Sequence, residues 1–298
     1  MIKLICPICS RDWKESGHSY KRNVGEKIDY YCTGCGGKKK PIRVSEKQHN
    51  MLKHINTRYD LPMTGLDGKT SYPEPASFTN SVDRGNILVI GDIHEPFCLA
   101  GYMEFCKEIY DKYNCNQVVF TGDLIDNHYA SFHITDPDGL GGGDELDFAI
   151  KKIQAWKNLF PYAKVCLGNH DKIILRQAFK AGISKRWIRD FNDVLKVDWE
   201  FEPSFIINDI LFRHGIGQKA SPKAGSEFMN VIQGHYHTES YIQYKVGLGK
   251  MVFGAQCPCG IDRKAYALAY AEEHPKPAIG CMAVLENGTL PILEMMPI

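Results

Sequence analysis

From residue 86 onward, short unbroken apolar runs alternate with segments of helical period. Ile87-Leu88-Val89-Ile90 reads as a buried strand, and Leu99 to Tyr113 carries apolar residues at helical spacing. Gln117 to Thr121 is a second strand, Leu146 to Phe160 a helix, and Ala163 to Leu167 a third strand. Lys172 to Lys180 and Ser184 to Leu195 read as helical. The alternation then stops. Phe205 to Ile207 and Ile210 to Arg213 form a hairpin across Asn208-Asp209. Val231 to Gln233, Tyr241 to Lys245, Met251 to Phe253, Cys281 to Leu285 and Leu290 to Leu293 continue as strands. A βαβαβ half followed by a β-rich half predicts an α/β fold, a layered sandwich spanning residues 86–298.

The first 85 residues have a different texture. Cys6-Pro7-Ile8-Cys9 and Cys32-Thr33-Gly34-Cys35 are two C-x-x-C pairs with 22 residues between them. That spacing suits a tetrahedral structural zinc on Cys6, Cys9, Cys32 and Cys35, with free thiols as the alternative. Residues 1–44 are expected to be a zinc-ribbon-like module whose metal substitutes for a core too small to fold alone. Residues 45–85 follow as a basic helix, from Ser45 to Arg58 with a Ser45/Gln48 capping box, and a linker rich in Pro, Gly and Ser.

Composition sharpens this division. The chain has 298 residues, 44% hydrophobic and 24% charged, as in ordinary globular proteins. Net charge is only +1, yet residues 1–60 hold 13 Lys/Arg against 6 Asp/Glu, and the remainder holds 23 against 29. A basic head on an acidic body points to an anionic partner, DNA or RNA among them, or alternatively to a plainly solvated helix. No run approaches the ~18 apolar residues of a membrane span, and no secretory signal is visible. Eleven cysteines without an export signal favour a reducing compartment, so the expected location is the cytoplasm.

The chemistry lies just past the predicted strand ends, where open α/β sheets place their sites. The blocks are Gly91-Asp92-Ile93-His94, Gly122-Asp123-Leu124-Ile125-Asp126, Gly168-Asn169-His170-Asp171, His214-Gly215 and Gly234-His235-Tyr236-His237. Adjacent glycines would let backbone crowd the site. Asp92 and His94 are two residues apart, as are His235 and His237, and on an extended chain each pair shares a side. Carboxylates, imidazoles and one amide oxygen suit manganese, iron, zinc or nickel rather than calcium. The ligands are too many for one ion, and a carboxylate-bridged pair serves in-line attack on phosphorus.

These blocks, in this order, resemble the calcineurin-like metallophosphoesterase superfamily, whose pattern reads D-x-H, G-D-x-x-D, G-N-H-[DE], H, G-H-x-H. The resemblance covers the chain from about Asn86 to its end and implies the following. Asp92, His94 and His237 would hold one metal, Asn169, His214 and His235 the other, with Asp123 bridging. His170 would stabilise or protonate the leaving oxygen, and Asp126 would orient it. Two metals, manganese first, would make a bridging water acidic enough to attack a phosphate ester near neutral pH. Protein serine/threonine phosphatases of this superfamily carry a phosphate-clamping Arg where Asn127 stands here, and the final two-histidine block is closer to the phosphodiesterase and nuclease branches. The wording around Gly91 to Phe97 and Asp126-Asn127-His128 is also similar to phosphoesterases of tailed bacteriophages, whose location would be the host cytoplasm. The leading expectation is a phosphodiesterase or nuclease. A phosphomonoesterase, including a protein phosphatase, is second, and a nucleic-acid-binding adaptor with an inactive site is third.

Other residues are read more plainly. His128 and His133 are loop histidines that could touch phosphate or simply sit beside the site. The glycine-rich stretch Asp136 to Asp144 is a lid or a connector. Lys185, Arg186 and Arg189 would share one helix face, as steering groups or as a solvated surface. Cys257-Pro258-Cys259 is half a metal knuckle with no second half, and Cys98, Cys106, Cys115, Cys166 and Cys281 read as small core residues.

Overall fold

The computed structural model describes residues 85–132, 138–262, 264–265 and 276–297, with the backbone of four short strands nearer the N-terminus. The chain forms two compact units, Met1–Ala76 and Ser77–Ile298. In the first unit, β1 (Ile2–Ile5) pairs antiparallel with β4 (Ile42–Ser45), and β2 (Ser19–Val24) pairs antiparallel with β3 (Lys27–Cys32). Cys6, Cys9 and Cys35, the side chain of Cys32, and the expected helix beyond Ser45 lie outside the described residues.

The second unit runs β5 (Asn86–Ile90), α1 (Tyr102–Lys112), β6 (Cys115–Phe120), α2 (Gly142–Leu159), β7 (Lys164–Cys166), α3 (Ile173–Lys180) and α4 (Phe191–Leu195). It continues through β8 (Glu200–Glu202), β9 (Ser204–Ile207), β10 (Ile210–Arg213), α5 (Ala220–Glu227), β11 (Asn230–Gln233) and β12 (Tyr241–Val246). β13 (Met251–Gln256), β14 (Gly280–Leu285) and β15 (Leu290–Met295) complete it. Two sheets result: a six-stranded one in the order β15-β14-β5-β6-β7-β8 and a five-stranded one in the order β12-β13-β11-β10-β9. The fold is a mixed α/β sandwich.

Strand alternation explains why the layers hold. Leu88 and Ile90 face α1 and α2, joining Tyr102, Phe120 and Trp156 in one core. Their neighbours Ile87 and Val89 face the other sheet and join Phe212, Ile232, Phe253 and Met282 in a second core. β5 is therefore apolar on both faces, as a strand between two layers must be. On the outer face of the second sheet, Ala220 and Ala224 of α5 pack on Val231 and Val252. Gly254 of β13 makes that approach feasible, because a Cβ there would lie 2.4 Å from the Ser221 Cα.

Local signals explain the boundaries. Asn208 and Asp209, at φ 51° and 59°, form the hairpin turn that two left-handed residues favour. α2 begins four residues before the apolar periodicity, at Gly142, so the glycine-rich stretch is shorter than its sequence suggested. Asp144 and Glu145 in its first turn complement the helix dipole. The expected helix from Ser184 to Leu195 is broken. Ser184 caps a three-ten turn at Lys185–Trp187, Ile188 is extended, and Asp190 caps α4 by accepting the Asp193 N–H at 2.9 Å. Two capping residues within one apolar-periodic run divide it, so Arg189 does not share a helix with Lys185 and Arg186. β8 and α5 carry too little periodicity to be anticipated.

No helix among the described residues is long and apolar enough to cross a membrane. Cys106, Cys115, Cys166, Cys257, Cys259 and Cys281 are buried free thiols, and the Cys257 and Cys259 thiols donate to the Val89 and Ala278 carbonyls. Phe212, fully buried between the sheets, tests the two-core arrangement. Phe212→Ala is expected to lower the unfolding free energy by about 3–5 kcal/mol in urea titrations, through lost burial and an unfilled cavity.

Candidate metal centre

The polar blocks follow β5, β6, β7, β10 and β11, and all five deliver side chains to one end of the paired sheets. Asp92 and His94 leave β5, Asp123 leaves β6, and Asn169 and His170 follow β7. His214 follows β10, while His235 and His237 follow β11. His94, Asp123, Asn127 and His235 have φ between 48° and 75°, a left-handed conformation that non-glycine residues avoid. The Asp92/His94 and His235/His237 pairs thus converge with a left-handed turn in each, not by alternation along an extended chain. Gly168 and Gly234 allow the strand ends to close in. A Cβ at either would lie 2.0 Å and 2.1 Å from the Asp123 and Asp92 carboxylates respectively.

The donors form two groups that share one residue. Asp92, His94, Asp123 and His237 converge within 4.8 Å, as do Asp123, His214 and His235. In the first, His94 Nε2 and His237 Nε2 stand 3.1 Å apart, and His237 Nε2 lies 3.0 Å from Asp92 Oδ2. In the second, His214 Nε2 lies 2.8 Å from Asn169 Oδ1, 3.1 Å from His235 Nδ1 and 3.2 Å from Asp123 Oδ2. Two ligands each about 2.0–2.1 Å from a common ion would be about 3 Å apart. The seven residues expected as ligands are therefore brought together, in two groups joined at Asp123.

Tautomers decide what this convergence means. His214 Nδ1 faces the Thr121 carbonyl at 3.1 Å, and a carbonyl can only accept, so Nδ1 carries the proton. His94 Nδ1 donates likewise to Asp126 Oδ1 at 2.6 Å. Each ring turns its Nε2 toward further ligand atoms, His214 toward Asn169, His235 and Asp123 and His94 toward His237. Such a pocket requires positive charge between its members, supplied by protons or by metal. Burial pushes the His214 imidazole down, but Asp123 and Asp92 outweigh it and raise the pKa to about 9. Burial likewise pushes the Asp92 and Asp123 carboxyls up, and the facing histidines outweigh it, so both titrate below the usual carboxylate range. Burial and the nearby His214 lower His235 to about 4, which leaves it a neutral donor. Buried carboxylates, imidazoles and an amide oxygen are a donor set that fits two divalent cations, which would take the place of the His214 proton.

His170 stands at the edge of this cluster. Its Nδ1 lies 2.7 Å from the Asp126 carbonyl and 3.3 Å from that residue's carboxylate, while its backbone N–H donates to Asp123 Oδ1 at 2.8 Å. The expected Asp126–His170 link thus runs mainly through the backbone, and the Asp126 carboxylate turns instead to His94. Asn127, in the position of the absent arginine, donates its amide to the His170 carbonyl at 3.0 Å. His128 is buried, 3.9 Å from Asp126. His133 lies outside the described residues.

Residues 85–241 match the family described as Calcineurin-like phosphoesterase. The chain belongs to that family. Among solved structures, this phosphoesterase-family chain is similar to Vacuolar Protein Sorting 29 from Cryptosporidium parvum, at 14% identity and a TM-score of 0.39, over 70% of this chain and 89% of the other. It is also similar to Yfce, a phosphoesterase from E. coli, at 11% identity and a TM-score of 0.35, over 67% and 87%. Nuclease MPE from Pseudomonas putida is a third, at 14% identity and a TM-score of 0.32, over 70% and 87%. No curated protein matches the sequence.

One residue of this family member's site carries a role that no sequence signal assigned. The Asp171 carboxylate accepts the backbone N–H groups of Asp123 at 2.9 Å, Leu124 at 2.9 Å, Ile125 at 3.3 Å and Gly168 at 2.8 Å. It pins the loops after β6 and β7 to each other. Its place as the last residue of Gly168-Asn169-His170-Asp171 was the available clue. Glu145 does similar work nearby, accepting the His128 N–H at 2.7 Å. Asp171→Ala would strand buried donors at about 1–3 kcal/mol each. The expected loss is at least ~3 kcal/mol in urea unfolding, with weaker Mn²⁺ uptake by calorimetry, whereas Asp171→Asn keeps one acceptor oxygen and loses less.

Proposed function

We propose that this protein is a dinuclear metal-dependent phosphodiesterase acting on nucleic acid or nucleotides. The observation that carries this reading is the seven-residue convergence, short of positive charge and shared at Asp123, with His170 beside it. Asp92, His94 and His237 would hold one ion, Asn169, His214 and His235 the other, and Asp123 both, with manganese the first choice. Bound there, the pair would supply charge for the phosphoryl oxygens and an acidified water for in-line attack.

The chain's own residues set the rest of the chemistry. With Nδ1 engaged by the Asp126 carbonyl, Nε2 is the ring nitrogen left for a substrate, and there His170 would protonate the leaving oxygen. Asp126 fixes the ring of His94 through its carboxylate and that of His170 through its backbone. Asn127 positions His170 and offers no bidentate clamp for a terminal phosphate, which favours a diester over a monoester. The expected ribbon, zinc on Cys6, Cys9, Cys32 and Cys35, and the basic stretch from Ser45 to Arg58 would hold a polyanionic substrate or a partner. The C-x-x-C spacing and the charge excess of residues 1–60 support that part. The resemblance to bacteriophage phosphoesterases is consistent with it and names no substrate.

A panel of phosphomonoester, small phosphodiester, single- and double-stranded DNA, RNA and phosphopeptide, each with Mn²⁺, tests the reading. Diester cleavage exceeding monoester cleavage is expected, and a preference for phosphopeptide would favour a protein phosphatase. Asp123→Asn should abolish turnover and lower metal stoichiometry, while His170→Asn should retain metal and lose roughly 10²–10⁴ in rate. Cys32→Ser should remove one zinc by elemental analysis and leave turnover of a small chromogenic diester unchanged.

A further inference from the structure

A basic surface beside the centre belongs to none of this machinery. From Lys172 to Arg189 the chain carries six Lys or Arg and no Asp or Glu, within a body whose remaining charge is acidic; five of the six are exposed, and Lys172 turns its ammonium to the Leu167 carbonyl at 2.8 Å. The stretch begins two residues after His170, and its helix is tied to the loop that carries Asn127. Asn127 bonds the His170 carbonyl, the three-ten turn His128–Ala130 follows it, and Gln177 of α3 donates its amide to the Ala130 carbonyl at 2.8 Å. Eight residues of α3 extend the surface by about 12 Å.

Aromatic rings are interleaved with these charges. The Phe132 ring, 40% exposed, lies 4.5 Å from the Arg176 guanidinium and 4.0 Å from the Lys180 ammonium. Arg176 and Lys180, four apart, occupy one face of α3. At the far end Trp187 is 85% exposed, between exposed Lys185 and Arg189. The Ile183 N–H bonds the Ala178 carbonyl at 2.8 Å, which closes the end of α3, and the turn that carries Trp187 follows two residues later. Holding a tryptophan in water forgoes the burial that usually pays for so large a ring.

We infer that this surface is a track for single-stranded nucleic acid leading into the metal centre. The repeat of such a strand is a planar base followed by an anionic phosphate, and the track offers rings and cations in alternation. An unpaired base can stack on Trp187, while the bases of a duplex already stack on each other. Phosphates lie along Arg176 and Lys180, each contact releasing counterion. This assignment rests on the phosphodiesterase reading of the centre and narrows its substrate class.

The test measures binding of a fluorescently labelled 12-nucleotide DNA strand by anisotropy, on full-length protein in EDTA, so that no cleavage intervenes. Competitors are the matching duplex, phosphatidylserine vesicles and polyglutamate. The strand should bind more tightly than the duplex, and Trp187→Ala should weaken it roughly 5- to 150-fold. Replacing both Arg176 and Lys180 with Ala should flatten the slope of log K against log salt by about 1.4. All three proteins should hydrolyse bis(p-nitrophenyl) phosphate with Mn²⁺ at the same rate. Unchanged strand affinity in both variants overturns the track, as does stronger competition by vesicles or polyglutamate than by unlabelled strand. Lost strand affinity in a protein that cleaves no diester would keep the track and overturn the reading of the centre.

Discussion

Three carboxylates, those of Asp92, Asp123 and Asp126, are buried at 1%, 1% and 3% exposure, the first two converging with His94 and the third bonded to it, and much of the second unit is arranged around that fact. Burying one charge unpaired costs several kcal/mol, and like charges side by side repel. The structure answers with five histidines and with backbone N–H groups. Where imidazole nitrogens and carboxylate oxygens still face each other, positive charge must stand between them, as protons or as metal. The capacity for two metals follows from this deficit of positive charge.

Holding such a cluster demands rigidity that the loops cannot supply alone. Each ligand block leaves a strand buried in one of two apolar cores, so its root is fixed by packing. Left-handed residues at His94, Asp123 and His235 then turn the chain sharply, at a conformational cost of order 1–3 kcal/mol each. Asp171 gathers three backbone donors from the Asp123 turn and a fourth from Gly168 after β7, and ties those two loops together. Four left-handed non-glycine residues, His94, Asp123, Asn127 and His235, thus stand within the cluster itself, where packing and hydrogen bonds hold them.

The charge distribution extends the same logic outward. An acidic body repels a polyanion in general, and a local basic strip draws it along one path. That the strip grows from the helix following His170 gives the path a direction. The candidate metal centre and the proposed approach to it thus share one chain segment.

Much of this was legible in the residues. Unbroken apolar runs and helical spacing located most strands and the helices α1, α2 and α3, because burial between layers demands apolar residues on both faces of a strand and on one face of a helix. The order of the polar blocks indicated the family and the residues that converge, since ligand type and strand-end position are written locally. Other features depended on the tertiary structure. Capping by Ser184 and Asp190 split a helix that periodicity alone would continue, and α2 began on glycines, where there is no side chain to carry a pattern. The Asp126 carboxylate turned to His94 and its carbonyl to His170, a choice between two nearby partners that spacing does not encode. Asp171 became the tie between loops, and Phe132 met Arg176 and Lys180, only once distant segments were packed together. Sequence determined which groups were present and in what order along the strands. Three-dimensional packing decided which of their atoms face each other, because hydrogen-bond partners and exposure are properties of the folded neighbourhood and not of the chain.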